Sequence, residues 1–365
     1  MSTAAASTEG ATDAAVAFDA RLGWVVRGHA EVLRVLHDPD TFSNVVSPRL
    51  SVPNGMDPPA HTAFRRIIEP YFGPRALAAV RPALDRIAEQ LVRPLDGETE
   101  IMDGLAHPFA VRVQCAFMGW PDHLHGPLRD WMTSNQAAIR AQDRGRLEEL
   151  AGEFDTIIRA QLDPRRPGDP DGDVTSRLLT EQVDGRALTD AELVSLIRNW
   201  TAGELGTIAA SVGIIVHHLA VDDELADHLR RSPAELPAAI DEILRLEGPL
   251  TANRRRTTRP VVLGGCSLPA DTPLTILWPD ANRDRRVFAP GRFAPAEHAH
   301  DNLLYGAGLH VCPGAPLARL ELEILTGTLL TQTRRIVLAG TARRADHPVG
   351  GFTAVAVRLQ RAGSG

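Results

Sequence analysis

Cys312 stands in a glycine-studded run, Tyr305, Gly306, Ala307, Gly308, Leu309, His310, Val311, Cys312, Pro313, Gly314, that leads straight into a helix-forming stretch over residues 315–330. A thiolate is a strong, soft ligand for iron, and glycines at 306, 308 and 314 remove side chains where a flat cofactor must approach the backbone. The start of the following helix, with its unpaired amide N–H groups and positive dipole end, favours a thiolate over a thiol. A lone cysteine is more often a small buried apolar residue than a ligand. The pattern of the whole loop therefore carries the reading, which is a planar, metal-bearing cofactor.

Three other groups of residues have spacings that could serve such a cofactor. His61 and Arg65 are four apart on a helix that opens at Asp57-Pro58-Pro59 and carries an apolar face of Phe64, Ile67, Ile68 and Tyr71, so the two project from the same side of it. Glu242 and Arg245, three apart, share a face of a helix over 236–246. On composition alone each pair is an ordinary solvated ion pair worth a few tenths of a kcal/mol. The third group is Ala202, Gly203, Glu204, Leu205, Gly206 and Thr207, midway along an apolar helix that begins with a capping pattern at Thr189 and Glu192 and runs to residue 220. A helix of roughly thirty residues is about 45 Å long, so with Ile197, Leu205, Ile208, Val212 and Ile215 it must cross the interior.

Taken together, these motifs closely resemble those of the cytochromes P-450, the haem-thiolate monooxygenases, and the resemblance extends from Trp24 to Leu359. It implies a mainly α-helical fold with a small β-rich region and haem b held between the long distal helix and the helix after the cysteine loop. Cys312 is then the axial iron ligand, with Gly306 and Gly314 in the loop. Tyr305 stands where the family usually has phenylalanine. His61, Arg65, Arg255 and His310 match the residues that hold the haem carboxylates, Arg255 being chosen from the run Arg254-Arg255-Arg256 by its offset from the Gly264-Gly265 turn. Glu242 and Arg245 match a buried structural network whose third member, by the same resemblance, is Arg292. Residues 350–353 resemble a terminal hairpin that reaches into the substrate pocket. The interval over residues 44–56, where the family often carries a small lid, is short.

One motif departs from the family. Its oxygen-handling sequence places an acid and an alcohol where this chain has Leu205 and Gly206; Glu204 and Thr207 lie one residue off. One residue is about 100° of rotation on an α-helix, so a regular helix does not place them as the family does. A π-bulge or local unwinding at Gly203 or Gly206 would shift the register. Ala202, Gly203, Glu204, Gly206 and Thr207 are thus the candidate distal residues.

The implied reaction uses two electrons and O2 to insert one oxygen atom into a small organic substrate. No flavin- or iron–sulfur-binding stretch is visible within the chain, so a separate ferredoxin and its reductase are the expected donors. The altered distal motif leaves open a peroxide-driven or oxidative-coupling enzyme, and a non-catalytic haem sensor is a further alternative.

Composition agrees with a globular enzyme. A chain of 365 residues buries a sizeable core. Its formal charge of −7 and 23% charged residues give no reason to expect a nucleic-acid partner. Cys115, Cys266 and Cys312 are far apart and odd in number, which argues against a disulfide framework and for a reducing, cytoplasmic location. Residues 1–20 read as a tail without the basic head and apolar run of a signal peptide or membrane anchor. A single catalytic domain is expected over 21–360, and residues 361–365 read as a second tail.

Overall fold

The computed structural model describes residues 14–345 and 350–363. The chain opens with a hairpin of β1 (Val16–Asp19) and β2 (Gly23–Val26), in register with Val16 opposite Val26. The expected N-terminal tail therefore ends before Val16. Four residues are too few to show a strand period, and what makes the hairpin is Asp19, whose carboxylate accepts from the Arg21 and Leu22 amides at 2.8 Å each. Helix α1 (His29–His37) buries Val32, Val35 and Leu36, the stripe expected of it, and β3 (Phe42–Ser43) follows.

A loop over residues 44–59 contains no helix, and then come α2 (Ala60–Ile68), α3 (Pro74–Val92), β4 (Gly97–Glu100), α4 (His107–Met118), α5 (His125–Ala141), α6 (Arg144–Leu162) and α7 (Val174–Leu178). The turn between α5 and α6 is only Gln142 and Asp143. Gln142 takes the left-handed conformation (φ 54°), and the Asp143 carboxylate caps α6 by accepting from the Arg146 amide at 3.0 Å.

A small hairpin, β5 (Gln182–Val183) and β6 (Arg186–Ala187), leads to α8 (Asp190–Val221), the central helix. Its start is the predicted capping box: the Glu192 amide donates to Thr189 Oγ1 at 3.3 Å, and the Thr189 amide donates to Glu192 Oε2 at 2.8 Å. Arg186 donates to both Glu192 oxygens at 2.7 and 2.8 Å. Among the described residues α8 alone is long and apolar enough to cross a bilayer, but 61% of that apolar window is buried inside the fold, which marks it as the core helix. It runs without interruption through residues 202–207, so no π-bulge or unwinding shifts the register there.

Beyond α9 (Asp223–Arg231) and α10 (Leu236–Glu247) the chain returns to strand as β7 (Ala252–Thr257), β8 (Val261–Leu263), β9 (Cys266–Leu268) and β10 (Pro273–Leu277). The main sheet has the order β1-β2-β10-β7-β3. Strand β7 carries three arginines and no apolar alternation, so only its pairing with β10 reveals it as a strand. Short helices α11 (Trp278–Ala281) and α12 (Pro295–His298) precede the cysteine loop and α13 (Ala315–Gln332). A second sheet of β11 (Thr333–Leu338), β14 (Ala356–Arg361) and β4 closes the chain, with β12 (Arg343–Arg344) paired to β13 (Phe352–Ala354). Arg361 thus belongs to a strand and not to the expected C-terminal tail. The largest core gathers α3, α4, α6, α8, α10 and α13, and a smaller one lies under the main sheet around Val26, Phe42, Leu274 and Ile276.

Candidate cofactor site

The loop before α13 is closed by the Cys312 amide, which donates to the Tyr305 carbonyl oxygen at 2.9 Å. Gly306 and Gly308 take φ values of 71° and 68°, in the left-handed region, and a Cβ at Gly308 would overlap the Leu36 carbonyl oxygen of α1. The loop glycines therefore serve backbone geometry as well as cofactor approach. Cys312 opens onto a cleft below α8, while protein encloses it on its other sides. That enclosure pushes its thiol pKa up, and hydrogen bonding from the Gly314 and Ala315 amides only partly offsets it. The helix-start effect expected from the sequence is present but does not win. A thiolate here needs a cationic partner, which is what a metal ligand has.

Four nitrogen-bearing side chains meet on the rim of the same cleft. His61 and Arg65 come from α2, Arg255 from β7 and His310 from the loop. The His61 and His310 rings lie 4.0 Å apart at a tilt of 48°. Both ring nitrogens of His61 and Nε2 of His310 are buried without a protein partner. Arg65 Nη1 donates to the Val311 carbonyl oxygen at 2.8 Å, and its Nε pairs with Glu69 at 3.2 Å. Arg255 is 5% exposed and donates only to the adjacent Arg254 carbonyl, at 2.7 Å. Burial lowers the His310 pKa to about 3, helped by repulsion from His61, Arg255 and Arg65, and burial lowers that of Arg255 to about 10. A buried cluster of donors with so little negative charge opposite it suits an anion. A ligand bearing two carboxylates fits this rim, and a soft metal fits the thiol on its floor.

The pairing of Glu242 with Arg245 is as the resemblance implies, but its third member is not. Glu242 and Arg245 are each 1% exposed; Arg245 Nε and Nη2 donate to the two Glu242 oxygens at 2.7 and 2.8 Å, and its Nη1 bonds the Asn282 carbonyl oxygen. Arg292 lies outside this network: it is exposed and pairs with Glu297 at 2.6 Å. Its place is taken by His298 of α12, whose Nδ1 lies 2.6 Å from Glu242 Oε1. Burial works against the Glu242 carboxylate, yet hydrogen bonds from Arg245, His298 and the Ala294 amide hold its pKa below the usual value. The segment from 285 to 297 is irregular, so linear spacing could not select between Arg292 and His298.

On α8, Gly203, Gly206 and Thr207 share one face, and a Cβ at either glycine would meet open space. Leu205 points the other way and is fully buried in the core. Ala202 flanks the glycine face. Thr207 donates its hydroxyl to the Gly203 carbonyl oxygen at 2.6 Å, so that hydrogen is spent within the helix. Glu204 turns its Oε1 inward, out of solvent, towards Glu321 of α13. The sequence reading passed over Glu321, although a signal was there: it sits at helical spacing from Leu317 and Ile324, on the apolar face of α13.

The interval where the resemblance implies a lid is short and pinned. The 44–59 loop is tied to α8, where Ser195 Oγ accepts from the Val52 amide and donates to the Leu50 carbonyl, both at 2.9 Å. Asn199 Nδ2 donates to the Val52 carbonyl at 2.8 Å, and Arg198 Nη2 to that of Leu50 at 2.9 Å. The two-residue turn between α5 and α6 leaves equally little spare chain.

Comparison with known proteins agrees with this geometry. The family model described as Cytochrome P-450 matches residues 235–344, from the start of α10 through the cysteine loop to β12. The chain is 29% identical over 340 residues to the erythromycin C-12 hydroxylase of Saccharopolyspora erythraea, with 89% of this chain and 85% of that protein covered. It is 30% identical over 339 residues to the cyclomarin C epoxidase CymV of Salinispora arenicola, with 87% and 85% covered. The solved structure of a mutant of P-450 EryK in complex with erythromycin B superposes with a TM-score of 0.87 at 28% identity, covering 96% of this chain and 94% of that one. The chain belongs to the cytochrome P-450 family. It is a haem b oxidoreductase, a monooxygenase that places oxygen from O2 in an organic substrate.

Proposed function

We propose that this chain is a hydroxylase or epoxidase of a rigid, bulky secondary metabolite such as a macrocycle, with Cys312 as axial ligand and His61, Arg65, Arg255 and His310 holding the two haem carboxylates. The observation that carries the site assignment is the convergence of those four donors, three of them buried and only Arg65 paired with a carboxylate, on the rim of a cleft that Cys312 floors. When bound there, haem supplies the oxidising chemistry. The chain's own residues orient it through its carboxylates, supply the thiolate and control which protons reach the distal side.

The substrate class rests on the covers. A lid pinned by Ser195, Asn199 and Arg198, and a helical hairpin with a two-residue turn, have little chain with which to fold over a small, flexible ligand. A preformed, wide ligand that has already lost its conformational freedom needs less closure to bind. Two relatives are named as a hydroxylase of erythromycin and an epoxidase of cyclomarin C.

Electrons are taken from a separate ferredoxin and its reductase in the cytoplasm. Of the arginines on the flanking helices α2 and α13, Arg65 is buried and Arg319 is committed to Asp241 at 2.8 Å; Arg66, with the exposed Leu309 and Val311, forms the docking patch. The test is reconstitution. Reduced protein under carbon monoxide should show the red-shifted Soret band of a thiolate-bound haem, and Cys312→Ala should lose it; a variant that keeps the band overturns the ligand assignment. A macrolide or cyclic peptide should shift the resting haem spectrum at lower concentration than a small monoterpene, and the reverse order would reject the substrate class.

A second reading, a peroxide-driven enzyme, is favoured by Leu205 and Gly206 at the acid and alcohol positions. Turnover with hydrogen peroxide that matches turnover with ferredoxin and NADH would select it.

A further inference from the structure

We propose that Trp200 and Tyr71 form a relay that carries an unspent oxidising equivalent away from the haem cleft, with Glu181 as the proton acceptor that lets Tyr71 complete the step. The inference rests on the haem assignment above. Tyr71 and Phe72 follow α2, Phe117 comes from α4, and Trp200 stands on α8 one turn before Gly203, on the same face. Centre to centre, the Trp200 ring lies 5.0 Å from Phe72, 5.6 Å from Tyr71 and 6.3 Å from Phe117. A Cβ at Gly314 would lie 3.7 Å from Phe72 and 3.8 Å from Cys312 Sγ, so the cluster begins beside the cysteine loop. At its other end the Tyr71 hydroxyl donates to Glu181 Oε1 at 2.8 Å, and Glu181 and Arg177 are only half-buried.

The residue types in this cluster go beyond what packing needs. Trp200 Nε1 is buried without a hydrogen-bond partner among the described residues, a cost that phenylalanine or leucine at 200 would avoid. Tyr71 is 0% exposed, yet it carries a hydroxyl that must be satisfied. Indole and phenol give up one electron far more readily than a phenylalanine ring does. Burial and the hydrogen bond to Glu181 raise the Tyr71 pKa, so the phenol keeps its proton at rest. A phenol that has lost an electron is a strong acid, and its proton needs an acceptor within hydrogen-bond reach, which Glu181 is. The Arg177 guanidinium lies 4.6 Å over the Tyr71 ring, a contact that a neutral ring keeps and a positive ring would lose. Loss of the electron is thereby tied to loss of the proton. The other tyrosine of the chain, Tyr305, has a buried hydroxyl with no partner among the described residues, so it lacks the acceptor that Tyr71 has.

The step moves one electron and one proton. When oxygen activation leaves an oxidising equivalent that no substrate bond takes up, Trp200 gives one electron towards the cleft and takes one from Tyr71. The Tyr71 O–H bond breaks, its proton joins the Glu181 carboxylate, and a neutral phenoxyl radical remains. A thiolate in solution then supplies one electron and is itself oxidised to a thiyl radical. Glu181 returns the proton, and the phenol is restored.

The test uses haem-loaded protein mixed with hydrogen peroxide in the absence of substrate and rapidly frozen. Electron paramagnetic resonance should show a tyrosyl radical in the parent, narrowed by ring-deuterated tyrosine and lost in Tyr71→Phe. Trp200→Phe and Glu181→Gln should each lower its yield several-fold. In all three variants the Soret band should bleach several-fold faster per peroxide consumed, with the carbon monoxide band and the substrate-induced spectral shift unchanged. Glu181→Gln alters only a half-buried side chain and keeps its shape, so it reports on the relay even where a core variant folds poorly. A parent without a tyrosyl signal, or a signal that survives Tyr71→Phe, overturns the assignment of Tyr71. Unchanged radical yield in Trp200→Phe and Glu181→Gln overturns the relay and leaves an aromatic cluster that only packs. Equal bleaching in parent and variants overturns its protective role. A parent with no carbon monoxide band would instead be failure of the haem assignment itself.

Discussion

Beside the cysteine loop, the buried carboxylate of Glu242 receives hydrogens from Arg245 Nε and Nη2, from His298 and from the Ala294 amide. Where α8 meets α13, the buried carboxyls of Glu204 and Glu321 receive none from any other residue. The two sites are opposite in how they are satisfied. A network in which every lone pair is met fixes one geometry, and its carboxylate stays ionised. Burial instead raises the pKa of Glu204 and of Glu321, which have no such donors. The contrast separates a carboxylate held ionised by its partners from carboxyls that burial shifts towards the neutral form.

The largest expected effect is on the satisfied side. Glu242→Ala strands the Arg245 guanidinium in the core, a loss of about 3–5 kcal/mol that should leave little folded, haem-loaded protein. Arg292→Ala, outside the network, should cost no more than about 0.5 kcal/mol in denaturant unfolding. Equal losses from the two would restore Arg292 as the third member and break the contrast.

Arg255→Ala comes next. Removing a charge-assisted hydrogen bond costs about 1.5–3 kcal/mol, so haem transfer to an acceptor protein should be about tenfold faster or more, with the wavelength of the carbon monoxide band unchanged. Haem retention equal to that of the parent would remove Arg255 from the carboxylate rim.

Gly206→Thr sharpens the other side. Its Cβ points into open space, and replacing a mid-helix glycine gains a few tenths of a kcal/mol, so stability should hold or rise slightly. Product formed per NADH should change little if the space the glycine leaves holds a water that delivers the proton. Improved coupling with every substrate would mean that an alcohol at this position was all the turn lacked.

The smallest effect concerns the anchor of α8. The Arg186 hydrogen bonds outweigh burial and, with those from Thr189, hold the Glu192 pKa at about 2. Glu192 therefore contributes stability that is present above pH ~4.5 and lost as pH falls towards 2. Hydrogen exchange in the first turn of α8 should quicken over that range in the parent, and Glu192→Gln should remove the pH dependence.

Residue types and short spacings were enough to mark the cysteine loop, the His61 and Arg65 pair, the Glu242 and Arg245 pair and the capped start of α8. Each of these depends on neighbours within a few residues, which helix and turn geometry alone brings together. Long helices were legible for the same reason, since an apolar stripe repeats within the element. Strands β4, β7, β11 and β14 were not, because each is defined by a partner distant in the chain and β7 has an arginine-rich sequence that reads as solvated. Tertiary structure alone decided that His298 and not Arg292 completes the buried network, since an irregular segment carries no period from which direction can be read. It also decided the fate of the distal turn. The order Glu204, Leu205, Gly206, Thr207 allowed either a distorted or a regular helix, and α8 is regular there, with Leu205 sent into the core and Glu204 turned towards Glu321 of α13.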